Sequence, residues 1–181
     1  MLVRPAQKND TPKIIDILKE AYTTARYDAK FIPYWIECFV SNSLVFPSYV
    51  VESEEEIVLG YIVWRVRQLS ANHNMTLELQ ELAARKGSDK VAVEELLINE
   101  SPSLVVTYLE TKGFSVREKC YLDIWVHSDD RYNNKSVVHN ISEEGKFLGG
   151  FEKRDARGEI LLLYRKKYRP KGIESEANRI L

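Results

Sequence analysis

Apolar and polar residues are arranged along this chain in segments that each predict one helix or strand. Residues 1–6 predict a short strand. The tripeptide 10–12, Asp-Thr-Pro, predicts a helix start, because a capping side chain precedes a proline at a position where its missing N–H costs nothing. Apolar residues at helical spacing follow it: Ile14, Ile15, Leu18, Ala21 and Tyr22. A second helix is predicted over 29–40, with Pro33 near its first turn.

The pattern then changes to strands. Residues 48–52 and 57–66 predict two strands joined by the acidic turn 53–56. Apolar residues occupy both alternating sets of positions in the longer strand, which is typical of a strand inside a sheet. Residues 68–90 are interpreted as an insertion, a polar loop followed by an incomplete helical stripe over 76–86. This insertion could pack on the domain edge, cover a substrate site or meet a partner subunit.

The second half of the chain is interpreted as strands and helices that end in a hairpin. The predicted elements are a strand at 91–99, a helix opened by Ser101-Pro102-Ser103 and stopped by Gly113, a strand at 120–127, a helix from Asp129 or Asp130 to about Glu144, and a hairpin at 147–153 and 159–168. The mixture of hairpins and a central β-α-β-α unit predicts an α/β (α+β) fold and argues against a doubly wound sheet. We expect one domain over 1–168 and a polar tail at 169–181.

Composition narrows the function classes. The 181 residues carry a formal net charge of -1, so the chain lacks the basic field that nucleic-acid binding needs. No apolar run approaches the roughly 18 residues that span a bilayer. Cys38 and Cys120 are far apart and make no metal spacing, which favours reduced thiols and a cytoplasmic location. The sequence predicts a cytoplasmic protein with no metal, nucleic-acid or membrane partner.

Several segments, in order along the chain, resemble the GNAT superfamily, whose members transfer an acyl group from coenzyme A to an amine. The segments are 3–10 (VRPAQKND), like the first strand and helix cap, 57–62 (IVLGYI), like the "IVGYI" strand, 93–98 (VEELLI), like the fourth strand, and 122–126 (LDIWV), like the fifth. Asn134 lies eleven residues before Gly145, a distance similar to that in the family's last helix. The resemblance implies a mixed, mostly antiparallel twisted sheet flanked by helices, with a helical insertion at 68–90 between the third and fourth strands.

The resemblance also implies a coenzyme A site after the fourth strand. Family members hold the pyrophosphate there with an Arg/Gln-x-x-Gly-x-Gly/Ala loop at a helix N-terminus. The residues implied to contact acetyl-CoA, the cosubstrate, are Leu97, Ile98, Asn99, Ser101, Ser103, Leu104 and Asn134. Residues 99–103 depart from the family pattern, because they contain no glycine or arginine, Glu100 adds a repulsive charge, and Pro102 lacks an N–H.

A second register for this loop stays open. Residues 86–90 (KGSDK) would then form the loop, with 79–83 as the strand before it and 91–98 as the helix after it. The β-rich character of 91–99 favours the first register.

Acyl transfer to an amine needs a base for the ammonium group. Glu94 and Glu95 are the candidates, and on a strand only one of them would face the cleft. Under the competing interpretation, both glutamates lie at an edge of the sheet and face solvent. The family often places a tyrosine near the leaving thiolate, but the matching residue here is Ile141, with Tyr132 and Tyr164 as possible substitutes.

The leading hypothesis is therefore an acyl-CoA-dependent N-acyltransferase that moves acetyl from acetyl-CoA to an amine, on a small molecule or a protein. The alternative is a catalytically inactive GNAT-fold module with a binding or regulatory role, and an unrelated α/β fold is a third interpretation. The apolar stretch 75–86 is a candidate contact for a homodimer. Four aromatic residues line a substrate groove or belong to the core: Tyr22, Phe31, Tyr34 and Trp35.

Overall fold

Seven strands form one mixed sheet through the described part of the chain. The computed structural model describes residues 1–21, 31–69, 74–114, 116, 119–127, 146–154 and 160–168. The strands are β1 (Leu2–Pro5), β2 (Ser48–Glu52), β3 (Val58–Leu69), β4 (Asn74–Ala84), β5 (Lys119–His127), β6 (Lys146–Arg154) and β7 (Ile160–Tyr168). Their spatial order is β1-β2-β3-β4-β5-β7-β6. Only β4 and β5 pair in parallel among these neighbours, so the predicted mostly antiparallel mixed sheet is confirmed.

Helices cover both faces of the sheet. Helix α1 (Thr11–Ala21) follows a short 3-10 turn, and α2 (Ile32–Ser41) carries its proline in the first turn, as predicted. These two helices bury their apolar residues on one face, here called the α1–α2 face, against β2, β3 and the end of β4. Helix α3 (Lys90–Thr111) lies on the opposite face, the α3 face.

The core on the α3 face is apolar and extensive. Helix α3 presents residues such as Leu97, Val105 and Leu109, each fully buried, to β2–β5. The helix approaches β3 closely at Gly60, where an added Cβ would lie 2.5 Å from Val93 Cγ1 and 2.9 Å from the Ala83 carbonyl oxygen. Glycine at this position therefore sets how near the start of α3 can pack to the sheet.

Strand β3 contributes to both cores. Ile62 and Trp64 pack on the α3 face, whereas Tyr61 and Val63 pack on the α1–α2 face. The prediction of an interior strand with two apolar faces is confirmed.

An ion-pair network joins the first strand to its neighbours. Arg4 donates to both carboxylate oxygens of Asp10, at 2.7 and 3.0 Å, and to both of Glu52, at 2.8 and 2.9 Å. Asp10 also accepts a hydrogen bond from the Gln7 backbone N–H, so this aspartate, 3% exposed, fixes the chain where it enters α1.

The predicted helix at 76–86 is wrong, because these residues belong largely to strand β4. Met75, Leu77 and Leu79 alternate in the manner of a strand, and one extra residue at Gln80 then shifts the phase so that Leu82 and Ala84 continue the α3 face. A strand pattern interrupted by one residue resembles an incomplete helical stripe. The helical insertion predicted at 68–90 is therefore replaced, over Asn74–Ala84, by the fourth strand itself.

The predicted strand at 91–99 is also wrong, since α3 runs from Lys90 to Thr111. The Asp89 side chain caps the helix by accepting from Ala92 N at 3.2 Å, and the buried residues then recur at helical spacing. Ser101-Pro102-Ser103, predicted to open a helix, lies inside α3. Tertiary packing against the sheet outweighs the β-branched composition and the interior proline.

The remaining predicted elements divide into confirmed strands and segments outside the described residues. The strand at 120–127 and the final hairpin are observed as β5 and as β6 with β7. The helix predicted up to about Glu144, which holds Asn134 and Ile141, lies outside the described residues, as does the tail 169–181. Across the described helices, none is long and apolar enough to cross a bilayer.

Candidate functional site

The parallel strands β4 and β5 pair along only part of their lengths. Their register runs from Asn74 opposite Lys119 to Glu78 opposite Asp123. Beyond these residues the described strands make no further β4–β5 pairs, and residues 124–127 of β5 pair only with β7. Among the described residues, the two strands are therefore unpaired over their C-terminal halves, and the region between these halves is called the cleft below.

A β-bulge lies at the start of this cleft. Val63 of β3 pairs with Glu81, but the next residue, Trp64, pairs with Leu79, so Gln80 is an extra residue on β4. A bulge leaves backbone groups outside the regular ladder and turns the strand. Backbone polar groups of β4 are thus available beside the cleft.

The loop 85–89 connects β4 to the N-terminus of α3 and exposes several backbone donors. Gly87 has φ +87°, and a Cβ built on it would meet no atom of the described residues within 4 Å, so these residues leave the space in front of the loop open. Among the described residues, no acceptor is found for the N–H groups of Gly87, Lys90 and Val91. The unpaired amides and the helix dipole together favour an anion at this place.

Side chains of this loop add both signs of charge. Arg85, Lys86 and Lys90 are cationic, and no partner is found among the described residues for the buried Nε of Arg85. Two carboxylates already accept from nearby amides: Asp89 from Ala92 N, and Glu20 of α1 from Lys86 N at 3.1 Å.

The donor set fits a pyrophosphate group. Residues 84–89 read Ala-Arg-Lys-Gly-Ser-Asp, so they keep the first glycine of the Arg/Gln-x-x-Gly-x-Gly/Ala pattern and replace its first and last residues. The open glycine, free amides and surplus of cations suit an anion, whereas Asp89 opposes it. The second register, over 86–90, is the one that the structure follows at the end of β4.

Buried carboxylates lie on the α1–α2 face of the same strands. Glu78, Glu81 and Asp123 are 4%, 7% and 2% exposed. Glu81 is opposite Val63, which packs on that face, and Glu78 and Asp123 follow residues that pack on the other. Acid groups therefore line the side of the cleft that faces away from α3.

Two arginines accompany these carboxylates. Arg165 of β7 donates from Nε and Nη2 to the two oxygens of Asp123, at 2.6 and 2.7 Å, and its guanidinium lies 5.4 Å from the Tyr121 ring centre. Arg67 of β3 places Nε 3.3 Å from Glu78 Oε2. Hydrogen bonding to Asp123 raises the pKa of Arg165, so this guanidinium stays charged.

The predicted catalytic pair does not lie on a strand. Glu94 and Glu95 are in the second turn of α3, where Glu94 is buried with Oε1 3.8 Å from Lys90 Nζ and Glu95 is half-buried. The strand placement of Glu94 and Glu95 is therefore wrong, their catalytic role stays a prediction, and the carboxylates on the actual fourth strand are Glu78 and Glu81.

The predicted coenzyme contacts at 97–104 also lie along α3. Leu97 and Ile98 are core residues, Asn99 is exposed and Leu104 is half-buried. Ser101 is fully buried, where its Oγ accepts from Trp64 Nε1 at 2.7 Å and donates to the Leu97 carbonyl at 2.6 Å. Ser103 hydrogen-bonds the Tyr168 hydroxyl. Apart from the exposed Asn99, these side chains pack or hydrogen-bond inside the fold. Their coenzyme contacts stay a prediction, and the loop 85–89 is a second candidate anion site.

The sequence contained a signal for the residues that were missed. Glu78 stands between Leu77 and Leu79, which is ordinary strand alternation, and Gly87 with its cationic neighbours formed the second register. The predicted aromatic groove is tested only in part: Phe31, Tyr34 and Trp35 are 63%, 73% and 45% exposed, so these three are not core residues. Tyr22 lies outside the described residues.

The chain was compared with known proteins by sequence and by structure. No protein-family model and no curated protein matches the chain by sequence. Solved structures do match. The ribosomal-protein-alanine N-acetyltransferase from Brucella melitensis is 17% identical with a TM-score of 0.59, over 93% of this chain and 100% of that one. The aminoglycoside 6'-N-acetyltransferase from Enterococcus faecium is 13% identical with a TM-score of 0.60, over 94% and 100%.

A third similar structure was determined with a ligand. It is a Salmonella typhimurium protein described as an acetyltransferase with its cofactor acetyl-CoA, 15% identical, with a TM-score of 0.58 over 95% of this chain and 98% of that one. Sequence identity at this level shows the fold alone. This chain has the fold of the GNAT N-acetyltransferases, in a divergent sequence, and the resemblance stated from its sequence is confirmed at the level of the fold.

Proposed function

We propose that this protein is an acyl-CoA-dependent N-acyltransferase that transfers an acetyl group to an amine. One observation carries the proposal: the separated parallel strands, the bulge at Gln80 and the amide-rich loop 85–89 occur together along one strand, β4, and its exit. This is the arrangement needed to hold a thioester in the cleft and its pyrophosphate at a helix N-terminus.

Different residues of the chain would bind the coenzyme and polarise the thioester in such a site. Acetyl-CoA, when bound, supplies an activated acyl thioester. The free amides of Gly87, Lys90 and Val91, with the cations Arg85 and Lys86, hold a pyrophosphate. Backbone N–H groups of β4 beside the bulge polarise a carbonyl oxygen in the cleft, as donors in an oxyanion hole do.

Glu81 is the candidate proton acceptor. An ammonium group must lose a proton before its nitrogen can attack, and a carboxylate within hydrogen-bond reach, directly or through water, can take that proton. Glu81 adjoins the bulge, lies on the diverging half of β4 and is almost fully buried. Glu78 is the second choice, because it lies on the same face of β4 but pairs with Arg67 at the paired end of the two strands.

A specific observation favours the alternative, a binding module without catalysis. Asp89 stands where the GNAT loop pattern has Gly or Ala, and its carboxylate occupies the helix N-terminus that a pyrophosphate would use. Glu20 accepts from a further amide of the loop. These two negative groups weaken coenzyme binding relative to an unobstructed loop.

Calorimetric titration with acetyl-CoA tests the coenzyme site. We expect micromolar binding to the native protein and about threefold tighter binding to Asp89→Asn, which keeps a capping side chain and removes one negative charge. Glu54→Gln in the distant acidic turn is the control and leaves the affinity unchanged. Absence of binding at millimolar acetyl-CoA would contradict the proposed function.

Turnover separates the enzyme from the binding module. Thiol release from acetyl-CoA is followed with a panel of amines, and Glu81→Gln is expected to lower kcat by about 100-fold with unchanged acetyl-CoA affinity. Coenzyme binding without thiol release for any amine would favour the binding module.

A further inference from the structure

Four charged side chains form a row across the sheet at the point where β4 and β5 begin to separate. In strand order they are Arg67, Glu78, Asp123 and Arg165, here called the charged row. Glu78 and Asp123 are the last pair of the β4–β5 register. Their charges run plus, minus, minus, plus from β3 to β7, and Arg65, the β3 residue directly opposite Glu78, adds an exposed cation at the β3 end.

The row lies on the same face of the sheet as Glu81. Leu77 and Leu122, the residues just before the two carboxylates, pack in the α3-face core, so Glu78 and Asp123 point to the opposite face. Glu81, the candidate proton acceptor, lies on that same face one bulge further along β4. An amine that approaches Glu81 from this face therefore passes beside the row.

The carboxylates of the row are covered and the guanidinium groups are not. The side chains of Glu78 and Asp123 are 5% and 3% exposed, whereas those of Arg67 and Arg165 are 50% and 37% exposed. Asp123 engages Nε and Nη2 of Arg165, which leaves the Nη1 donors of that arginine unused by its partner. The solvent-accessible hydrogen-bond donors of the charged row are therefore arginine N–H groups.

Stability alone is a weak reason for such a row. Neighbouring strands are about 4.8 Å apart, so two adjacent buried carboxylates repel each other and each needs its own cation. Well-packed apolar residues in place of buried ion pairs are often as stable or more stable. The carboxylates do achieve one thing that apolar residues would not: they hold two guanidinium groups in fixed positions beside the cleft.

We propose that Arg67 and Arg165 bind an anionic group of the acceptor, so that the acceptor is an amine that also carries a carboxylate or a phosphate. The proposal rests on the proposed acyltransferase function. Arginine held by a buried carboxylate presents preorganised donors, and its planar fork matches oxyanions. A purely cationic amine such as a polyamine would be repelled by the same groups.

Matched acceptor pairs test the proposal. The first arm compares the common L-amino acids with their C-terminal amides, which keep the amine and lose only the carboxylate charge. The second arm compares O-phosphoethanolamine with ethanolamine and distinguishes a phosphate from a carboxylate. In at least one arm, kcat/KM for the anionic member is expected to exceed that for its neutral partner by about 10- to 100-fold, the worth of charge-assisted hydrogen bonds.

A paired variant assigns the preference to the row. Asp123→Asn with Arg165→Gln removes both charges and keeps similar shapes, so no buried charge is left unpaired. We expect this variant, which keeps Arg67, to lose most of the preference for the anionic member of each pair while acetyl-CoA affinity, measured by calorimetry, stays within about twofold. Lys112→Met, which removes one exposed cation at the end of α3, serves as the matched control and keeps the preference.

The outcomes separate this proposal from the function on which it rests. Failure of the native protein to bind acetyl-CoA would remove the acyltransferase function. Binding of acetyl-CoA with equal or faster turnover of the neutral members or of spermidine, with no anionic amine turned over, or with the preference intact in the paired variant, would overturn the anionic-acceptor proposal alone.

Discussion

The two faces of the paired segment of β4 and β5 differ completely within one residue of sequence. Leu77 and Leu122 are buried in the apolar core beneath α3, while the following residues, Glu78 and Asp123, carry buried charges on the opposite face. The α3 face makes the sheet stable, and the other face holds groups that are expensive to bury. Strand alternation therefore lets one short segment serve both the fold and a polar site.

The largest expected effect is a loss of stability when the apolar core on the α3 face is disrupted. Leu97→Ala removes a fully buried side chain from α3, and the loss of apolar burial with the resulting cavity is expected to lower the free energy of unfolding by about 3 kcal/mol. Urea denaturation measures it. Val91→Ala, at a position 49% exposed on the same helix, is the control and should change stability by less than about 0.5 kcal/mol. Equal losses for both variants would contradict the assigned core.

The next effect tests the polar side. Arg165→Met leaves Asp123 buried without its cation, and we expect a loss of about 2 kcal/mol, reduced by the partial exposure of the arginine. The pair Asp123→Leu with Arg165→Met should unfold within about 1 kcal/mol of the native protein, because it removes both charges together. A double variant much less stable than the single one would show that the row exists for stability.

A smaller effect probes how α3 is held against the sheet. Gly60→Ala places a Cβ where Val93 and the Ala83 carbonyl leave no room, so the helix start must shift. We expect unfolding to become easier by about 1.5 kcal/mol, and acetyl-CoA affinity to fall because the loop 85–89 moves with the helix. Gly113→Ala is the control for backbone strain, because Gly113 has φ +84°, has no neighbour within 4 Å among the described residues and lies far from the start of α3. This variant should leave the affinity unchanged.

The smallest expected effect is a change in the pH dependence of stability, and it concerns the ion-pair network at Arg4 instead of the charged row. Burial opposes ionisation of Asp10, but hydrogen bonds from Arg4 and the Gln7 N–H outweigh it and lower its pKa, and the Arg4 hydrogen bonds lower the pKa of Glu52. Carboxylates with a lowered pKa stabilise the folded state above their ordinary pKa, near 4, and this contribution is lost as the pH falls through the lower folded value.

Arg4→Met should therefore lose less stability than the native protein between pH 7 and pH 3. Urea midpoints at the two pH values measure the difference, with Lys112→Met as the charge-matched control. An acid sensitivity of Arg4→Met equal to that of the native protein would contradict the role given to this network.

Local patterns were sufficient for the elements that depend on local signals. The proline-opened helices α1 and α2, the hairpin of β2 and β3, and the interior character of β3 follow from capping, turn chemistry and alternation, and the structure has them where they are predicted. The fold class followed from the order of these elements. Ordered resemblances to GNAT proteins added the sheet type, and the structural comparisons confirm that fold.

The fourth strand and the loop after it were misplaced because two local signals conflicted with tertiary packing. The bulge at Gln80 interrupts the alternation of β4, so the strand resembled a helical stripe. The segment 91–99 is rich in β-branched and apolar residues, but Asp89 caps it and Gly60 lets it pack on the sheet as helix. Both errors moved the predicted loop about a dozen residues too far along the chain.

The sequence by itself determined the α/β class, most strands, the first two helices and both possible positions of an anion-binding loop. Only the tertiary structure placed the loop that follows the fourth strand at 85–89 and brought Arg67, Glu78, Asp123 and Arg165 together. The physical reason is that a capped helix or a turn is specified by neighbours in sequence, whereas a strand register joins residues that are distant in sequence, such as Leu2 and Glu52, and is fixed only when the sheet forms.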